Sequence, residues 1–199
     1  MSARPAGADP RENPFSTRRT RPGALPYLFP PGESLEGVLA RLNAAGGRGE
    51  IVGPHGCGKS TLVASLAQGL TARGCKVLVL RPVGGRLPPE AKQVRKLPAT
   101  AVVFIDGYEQ LSRWTRARVR KTCQRLGLGL MVTAHAPCGF PLLMHVEPDL
   151  AMAKRVVSTL VADREKTVAD SQVQQAFEST GGNVREMLFA LYDAVERAR

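Results

Sequence analysis

The chain alternates short, unbroken apolar runs with longer segments that repeat apolar residues at helical spacing. Five runs have the length of β-strands and are bounded by Gly, Pro or charged residues. They are residues 49–53, 76–80, 101–106, 128–134 and 142–147. Helical patterns separate the first four, over residues 59–73, 89–97 and 111–126. Because strands that are apolar on both faces form parallel sheets covered by helices, the pattern predicts a three-layer α/β fold with a parallel five-stranded sheet.

The two ends of the chain follow different patterns. Residues 1–32 are rich in Pro, Arg and Gly without periodicity, and predict an extended arm that docks through its apolar residues 25–29. A helix is expected over 33–45, at the start of a core that spans residues 33–148. From residue 149 only helical patterns occur, over 149–161, 169–178 and 183–198, which predicts a small helical lid over 149–199.

The composition of the chain indicates its cellular environment and the charge of its ligands. No apolar run is long enough for a membrane-spanning helix, the N-terminus lacks the apolar segment of a signal peptide, and the four cysteines are scattered, so we expect a cytoplasmic protein with reduced thiols. The 28 Lys and Arg residues exceed the 17 Asp and Glu residues, which gives a net charge of +11. Such a charge favours polyanionic partners, although an arginine-rich codon bias would produce the same excess.

The most specific motif is the loop that links the first strand to the following helix. Gly53-Pro54-His55-Gly56-Cys57-Gly58-Lys59-Ser60 matches GxxxxGK[ST] at every fixed position. Its glycines let main-chain N–H groups turn toward an anion, and the helix adds the positive end of its dipole. We expect Lys59 to bridge the β- and γ-phosphates, Ser60 to bind Mg²⁺, and Thr61 to lie near the α-phosphate.

An acidic residue follows a neighbouring strand. Asp106 ends the run AVVFID, where a P-loop enzyme places the carboxylate that holds the Mg²⁺ water shell. The alternative is a strand-end aspartate that caps a turn.

Taken together, the phosphate loop, Asp106 with Glu109 in IDGYEQL, Thr133 and the segment GGNVR resemble the AAA+ and STAND-type P-loop ATPases. The resemblance covers residues 25–199. It implies the strand order 5-1-4-3-2, a nucleotide in the seam beneath the lid, and residues 26–29 beside the adenine. This sequence departs from the AAA+ pattern in two places. Gly107 stands where a glutamate usually follows the aspartate, and only a short Pro/Gly loop joins the last two strands.

The resemblance also implies roles for four further residues. Glu109 would be the catalytic carboxylate, Thr133 (or, second, His135) would sense the γ-phosphate, and Arg185 would present its guanidinium to that phosphate from the lid. Without the resemblance, each is equally a solvated charge or a polar residue at the end of a strand. No guanine-reading NKxD motif follows the fourth strand, so ATP is expected rather than GTP.

A strongly basic segment, residues 112–125, lies between the third and fourth strands. It admits three interpretations: a solvated helix face, a surface for DNA, RNA or an acidic protein, or a source of an arginine finger in a homo-oligomer. Trp114 within it is expected to pack against the body of the protein.

These features favour an ATP-binding, Mg²⁺-dependent ATPase that works as a nucleotide-dependent switch or a DNA- or partner-associated ATPase. Two alternatives stay open from the sequence. A small P-loop kinase would also have about this length and an arginine-rich segment. A basic nucleic-acid-binding module could keep the same fold for structure alone.

Overall fold

The sheet has the predicted strand order. The computed structural model describes residues 12–162 and 168–198, and within them five strands form one sheet. These strands are β1 (Arg48–Val52), β2 (Val77–Leu80), β3 (Val102–Asp106), β4 (Gly129–Ala134) and β5 (Leu142–His145). They are parallel, in the order β2-β3-β4-β1-β5. The expected 5-1-4-3-2 arrangement of a P-loop-type three-layer fold is therefore confirmed.

Helices cover both faces of this sheet, and within the described residues three further helices follow β5 in the segment predicted to be a lid. They are α1 (Thr17–Thr20), α2 (Leu35–Ala44), α3 (Lys59–Ala72), α4 (Arg113–Arg125), α5 (Leu150–Val161), α6 (Asp170–Ser179) and α7 (Val184–Arg197). Two segments are 3₁₀ helices, Pro89–Lys96 and Tyr108–Gln110. The helix expected over 111–126 starts later, because the Ser112 hydroxyl caps it by accepting a hydrogen bond from Thr115 N. No helix in the described ranges is both long and apolar enough to span a membrane.

The sheet separates two buried cores, one on each side. On one side Phe104 packs in a buried cluster with residues of α2 and α3, such as Leu62. On the other side Val103 and Ile105 pack in a second cluster beneath α4. The alternation follows from the two-residue period of a strand, and it explains why AVVFID is apolar throughout.

The register of the strands brings their carboxyl ends to one edge. Asp106 pairs with Thr133 across β3 and β4, and Val52 pairs with Ala134 across β1 and β4. The loop that begins at Gly53 therefore leaves the sheet beside Asp106 and Thr133. Ligands in open α/β folds bind at this edge, so the topology alone assembles the predicted site residues.

The N-terminal segment packs more extensively than an extended arm. Phe15 is 1% exposed and lies in the buried cluster of α5, α6 and α7. Asn13 donates hydrogen bonds to Tyr192 O and to the Glu196 carboxylate. Residues 17–20 are helical, and Tyr27 is buried on the α3 side as expected. The segment thus connects the lid helices to the core, whereas residues 1–11 lie outside the described ranges.

A buried carboxylate in β1 holds the loop between β4 and β5. Glu50 is 2% exposed, and its Oε2 accepts hydrogen bonds from Cys138 N (2.8 Å) and Phe140 N (3.2 Å). Glu50→Ala should lower the free energy of unfolding by about 2–3 kcal/mol, because two amide donors lose their acceptor. Urea unfolding measures this. Glu50→Gln is the control, since its amide oxygen still accepts from both donors, and equal losses in the two variants would contradict this role.

Candidate functional site

The phosphate loop depends on glycine at three positions. Gly56 and Gly58 have φ values of +70° and +102°, which disfavour other residues. A Cβ at Gly53 would lie 2.2 Å from the Val146 carbonyl oxygen, and one at Gly56 would lie 1.8 Å from Asn183 Oδ1. The loop is therefore packed between β5 and the start of α7, and it curls into the N-terminus of α3 at Lys59.

The Lys59 ammonium lies inside this loop. The residue is 9% exposed, and Nζ donates to the carbonyl oxygens of Gly53 (2.7 Å) and Pro54 (2.5 Å). Beside it, burial raises the pKa of the Cys57 thiol, so the thiol stays protonated at neutral pH. One fixed positive charge thus stands at the N-terminus of α3, where the helix dipole also favours an anion.

Asp106 is held by two neighbours. Its Oδ1 accepts a hydrogen bond from the Thr133 hydroxyl (2.9 Å), and that hydroxyl accepts from Gly107 N (2.9 Å). The other oxygen, Oδ2, accepts from Arg81 Nε at 3.3 Å. The Asp106 side chain is only 9% exposed, whereas the Arg81 side chain is 56% exposed. Thr133 therefore orients Asp106, and Arg81 is a largely exposed cation next to it.

Glu109 lies in the 3₁₀ turn after β3, and one of its oxygens has no partner. Oε1 is 3.3 Å from His135 Nδ1, while Oε2 is buried without a hydrogen bond. The His135 ring lies against the His55 ring of the phosphate loop, with 3.6 Å between ring centroids and 49° between the ring planes. Burial lowers the pKa of His135, opposed by Glu109 and assisted by Lys59 and His55. The imidazole is thus neutral at neutral pH, and it links Glu109 to the loop.

Two arginines of α4 have structural roles. Arg116 donates to the carbonyl oxygens of Glu109 (2.5 Å) and Leu111 (2.8 Å), which fixes the Glu109 turn. Arg120 donates to the Cys138 carbonyl oxygen (2.7 Å) and stacks on Phe140 at 4.0 Å. These contacts commit both side chains within the chain, so neither favours the arginine-finger interpretation.

The lid meets the phosphate loop at the start of α7. Asn183 caps this helix by accepting a hydrogen bond from Glu186 N, and its side chain lies against Gly56. Arg185, in the first turn of α7, is exposed and faces the same cavity as the loop.

A cavity of about 590 Å³ joins these groups. Of the residues predicted for the site, it is lined by those of the phosphate loop from His55 to Thr61, with Asp106, Glu109, Thr133, His135 and Arg185, and by Pro26, Tyr27 and Leu28 of the segment expected beside the adenine. Gly53 and Pro54 lie outside its lining, and their carbonyl oxygens accept the hydrogen bonds from Lys59. The sequence did not point to Arg81 or to Thr17, Thr20 and Arg21 of the arm, which also line the cavity. Arg81 was detectable, because it follows β2 at the same edge of the parallel sheet.

Comparison with known proteins identifies the fold. No family model matches the chain, and no curated protein sequence is significantly similar. A point variant of RuvB from Thermotoga maritima superposes with a TM-score of 0.54 at 16% identity, covering 78% of this chain and 58% of that one. A protein described as a DNA replication initiation factor gives 0.56 at 15% identity, covering 86% and 69%. NtrX from Brucella abortus, in complex with ADP, gives 0.59 at 11% identity, covering 87% and 52%.

The chain thus spans about three fifths of the length of the RuvB structures that it matches. At these identities the similarity shows a shared fold.

Proposed function

We propose that this chain is an ATPase of the AAA+/STAND type, which binds ATP with Mg²⁺ at the carboxyl edge of its sheet and hydrolyses it. One observation carries the proposal: the Lys59 loop, a held aspartate and a partly unpartnered glutamate line one cavity of about 590 Å³. That volume lies within the usual range for small-molecule and cofactor sites. The fold that the chain shares with the ADP complex of NtrX supports the same assignment.

The phosphates would lie in the loop. Main-chain N–H groups from Gly56 to Thr61 and the N-terminus of α3 supply donors and a positive dipole. In the described structure the Lys59 ammonium contacts uncharged groups of the loop, namely the carbonyl oxygens of Gly53 and Pro54 and, at 3.9 Å, the Cys57 thiol. A phosphate oxygen is a stronger acceptor than either carbonyl, so Lys59 would transfer its hydrogen bonds to the β- and γ-phosphates.

The donor set at Ser60 and Asp106 fits Mg²⁺, which prefers oxygen ligands and retains several waters. The Ser60 hydroxyl and the Asp106 carboxylate are oxygen donors on one cavity, and the Asp106 Oδ2 already faces a cation, Arg81. When bound, Mg²⁺ would neutralise part of the phosphate charge. Thr133 would keep the Asp106 carboxylate in its orientation throughout.

Glu109 would act as the base that orients the attacking water. Its Oε2 is buried without a hydrogen bond, which is costly unless a ligand or water supplies a donor there. Arg116 holds the Glu109 main chain and His135 lies beside Oε1, so the carboxylate is positioned before substrate arrives. Preorganisation of this kind is the main contribution that a protein makes to phosphoryl transfer.

The lid would report the state of the nucleotide. Arg185 is exposed and borders the cavity, so contact with a γ-phosphate would draw α7 and the packed arm toward the loop. Loss of that phosphate would release them, which is the behaviour of a nucleotide-dependent switch. A neighbouring copy or a polyanionic partner would then bind one of these two states in preference to the other. Within the site, Thr133 would sense the γ-phosphate through its hydrogen bond to Asp106.

Phosphate release by the purified protein tests this function directly. We expect turnover of ATP in preference to GTP, abolished by EDTA, together with tighter binding of ATP when Mg²⁺ is present. Size-exclusion chromatography with a non-hydrolysable ATP analogue tests whether the closed state associates. Absence of both binding and turnover would reject the proposal, and ADP formed without free phosphate would indicate transfer to an acceptor, as in a kinase.

The contact between His135 and Glu109 predicts an acid limb in the pH profile. Since the His135 pKa lies below its usual 6.5, the imidazole is neutral at pH 7 and gains its proton only in more acid solution. Imidazolium beside the carboxylate would make Glu109 a weaker base, so kcat/KM should fall as His135 gains its proton, at a pH lower than the usual 6.5. In His135→Asn that limb should move to lower pH. Profiles that coincide in the two proteins would contradict the coupling.

A further inference from the structure

Helix α4 presents an aromatic and basic stripe to solvent. Trp114, Arg118, Lys121 and Arg125 follow one another at intervals of four, three and four residues. At 3.6 residues per turn these positions lie within about 60° of one another and span about 17 Å along the helix. Trp114 is 88% exposed, and the three cationic residues are exposed as well. The expectation that Trp114 packs against the body of the protein is therefore wrong.

The stripe points directly away from the core. Cys123, on the opposite side of α4, is 2% exposed and packs beneath the helix. Arg116 and Arg120, which turn toward the body, are the basic residues committed to carbonyl groups. Within the described parts of the chain, Arg118, Lys121 and Arg125 form no ion pair, and α4 itself contains no acidic residue. Nothing in the described fold explains why an indole and three unpaired cations share this line.

The chemistry of the stripe matches single-stranded nucleic acid. An exposed indole offers a flat face on which an unpaired base stacks, and regularly spaced cations contact consecutive phosphates. A duplex keeps its bases stacked on one another, so it leaves the indole without a partner. A membrane surface would favour several apolar side chains, whereas the stripe has one. An acidic protein satisfies the cations but gives no reason for the aromatic face.

We propose that the stripe Trp114–Arg118–Lys121–Arg125 binds single-stranded DNA or RNA, with Trp114 stacked on a base and the three cations on the backbone. This surface is separate from the nucleotide cavity. Its assignment does not rest on ATP binding or hydrolysis.

Trp114 is the only tryptophan in the chain, so its fluorescence reports the contact directly. An oligothymidylate of about 20 nucleotides, longer than the stripe, should quench this emission on titration. With three phosphates neutralised, the slope of log K against log salt should be about −2. The fluorescence anisotropy of a labelled oligonucleotide measures the affinity of each variant. Trp114→Ala should bind at least about fivefold more weakly than the wild type, while Trp114→Phe, which keeps an aromatic face, should lose less affinity.

Two further variants distinguish binding by the stripe from attraction to the overall positive charge of the protein. Arg118→Gln combined with Lys121→Gln should reduce the magnitude of the salt slope by about 1.4, since two contacts are lost. Arg113→Gln removes an exposed charge from the same helix, about 100° away from Trp114, and should change the slope less.

Three results would overturn the proposal. The first is binding of the oligonucleotide by Trp114→Ala with wild-type affinity. The second is stronger quenching by duplex DNA of equal length, or equal quenching by polyglutamate, which would indicate a duplex or an acidic protein as the ligand. The third is a blue shift of Trp114 emission with phosphatidylserine vesicles but not with oligothymidylate. The titration contains no ATP and reports on Trp114, which is not in the cavity lining, so its outcome can be distinguished from a failure of the ATP site.

Discussion

Replacing Lys59 with Ala should weaken ATP binding at least about 100-fold, because two charge-assisted hydrogen bonds to phosphate, each contributing about 1.5–3 kcal/mol, disappear together. The ammonium is buried in the loop and bonded to the carbonyls of Gly53 and Pro54, so it lies beside the main-chain amides that would hold the phosphates. Isothermal titration with Mg²⁺ and ATP measures the loss. Thermal unfolding gives an independent readout, since ATP should raise the Tm of the wild type and not that of the variant.

The matched control for this experiment is Lys76→Ala. Lys76 is an exposed lysine just before β2, outside the lining of the cavity, so this variant should bind ATP like the wild type. The melting temperatures of both variants without nucleotide establish that they are folded. Unchanged ATP affinity in folded Lys59→Ala would reject the assignment of the phosphate loop.

The sheet was predictable because its signals are local and strong. The central strands β3 and β4 are buried on both faces, so each appears in the sequence as an unbroken apolar run such as AVVFID. Asp106, Thr133 and the phosphate loop then meet at the carboxyl edge of the sheet, because the pairing of the strands alone places them there. The position of the site therefore followed from topology.

The contacts made by individual side chains were not predictable in this way. The ring contact between His55 and His135 joins residues 80 positions apart, and no local pattern encodes it. Arg116 and Trp114 are two residues apart on one helix, yet one fixes the Glu109 turn and the other is exposed. Helical spacing defines faces but does not say which face meets the core when both are polar. Phe15 was missed because its partners in the lid are distant in sequence.

Glu109→Gln should reduce the turnover of ATP by about 10²–10⁴-fold while changing ATP affinity little, because a general base contributes this much to catalysis and an amide cannot accept the proton. The substitution preserves the size of the side chain and leaves the main-chain hydrogen bond from Arg116 intact. The buried Oε2 position then carries either a neutral oxygen or an NH₂ group. Single-turnover phosphate release measures the chemical step, and ATP titration measures binding in the same variant.

Glu90→Gln is the control for charge. Glu90 is an exposed carboxylate in the 3₁₀ helix Pro89–Lys96, away from the cavity lining, and its removal changes the net charge of the chain by the same amount. We expect wild-type turnover in Glu90→Gln. In Glu109→Gln we expect slow cleavage of ATP, so that the protein remains in complex with unhydrolysed ATP. If Glu109→Gln turned over as fast as the wild type, the buried oxygen without a partner would have no part in the chemistry. The attacking water would then have to be oriented by another group on the cavity, of which His135 is the nearest neighbour of Glu109 in this structure.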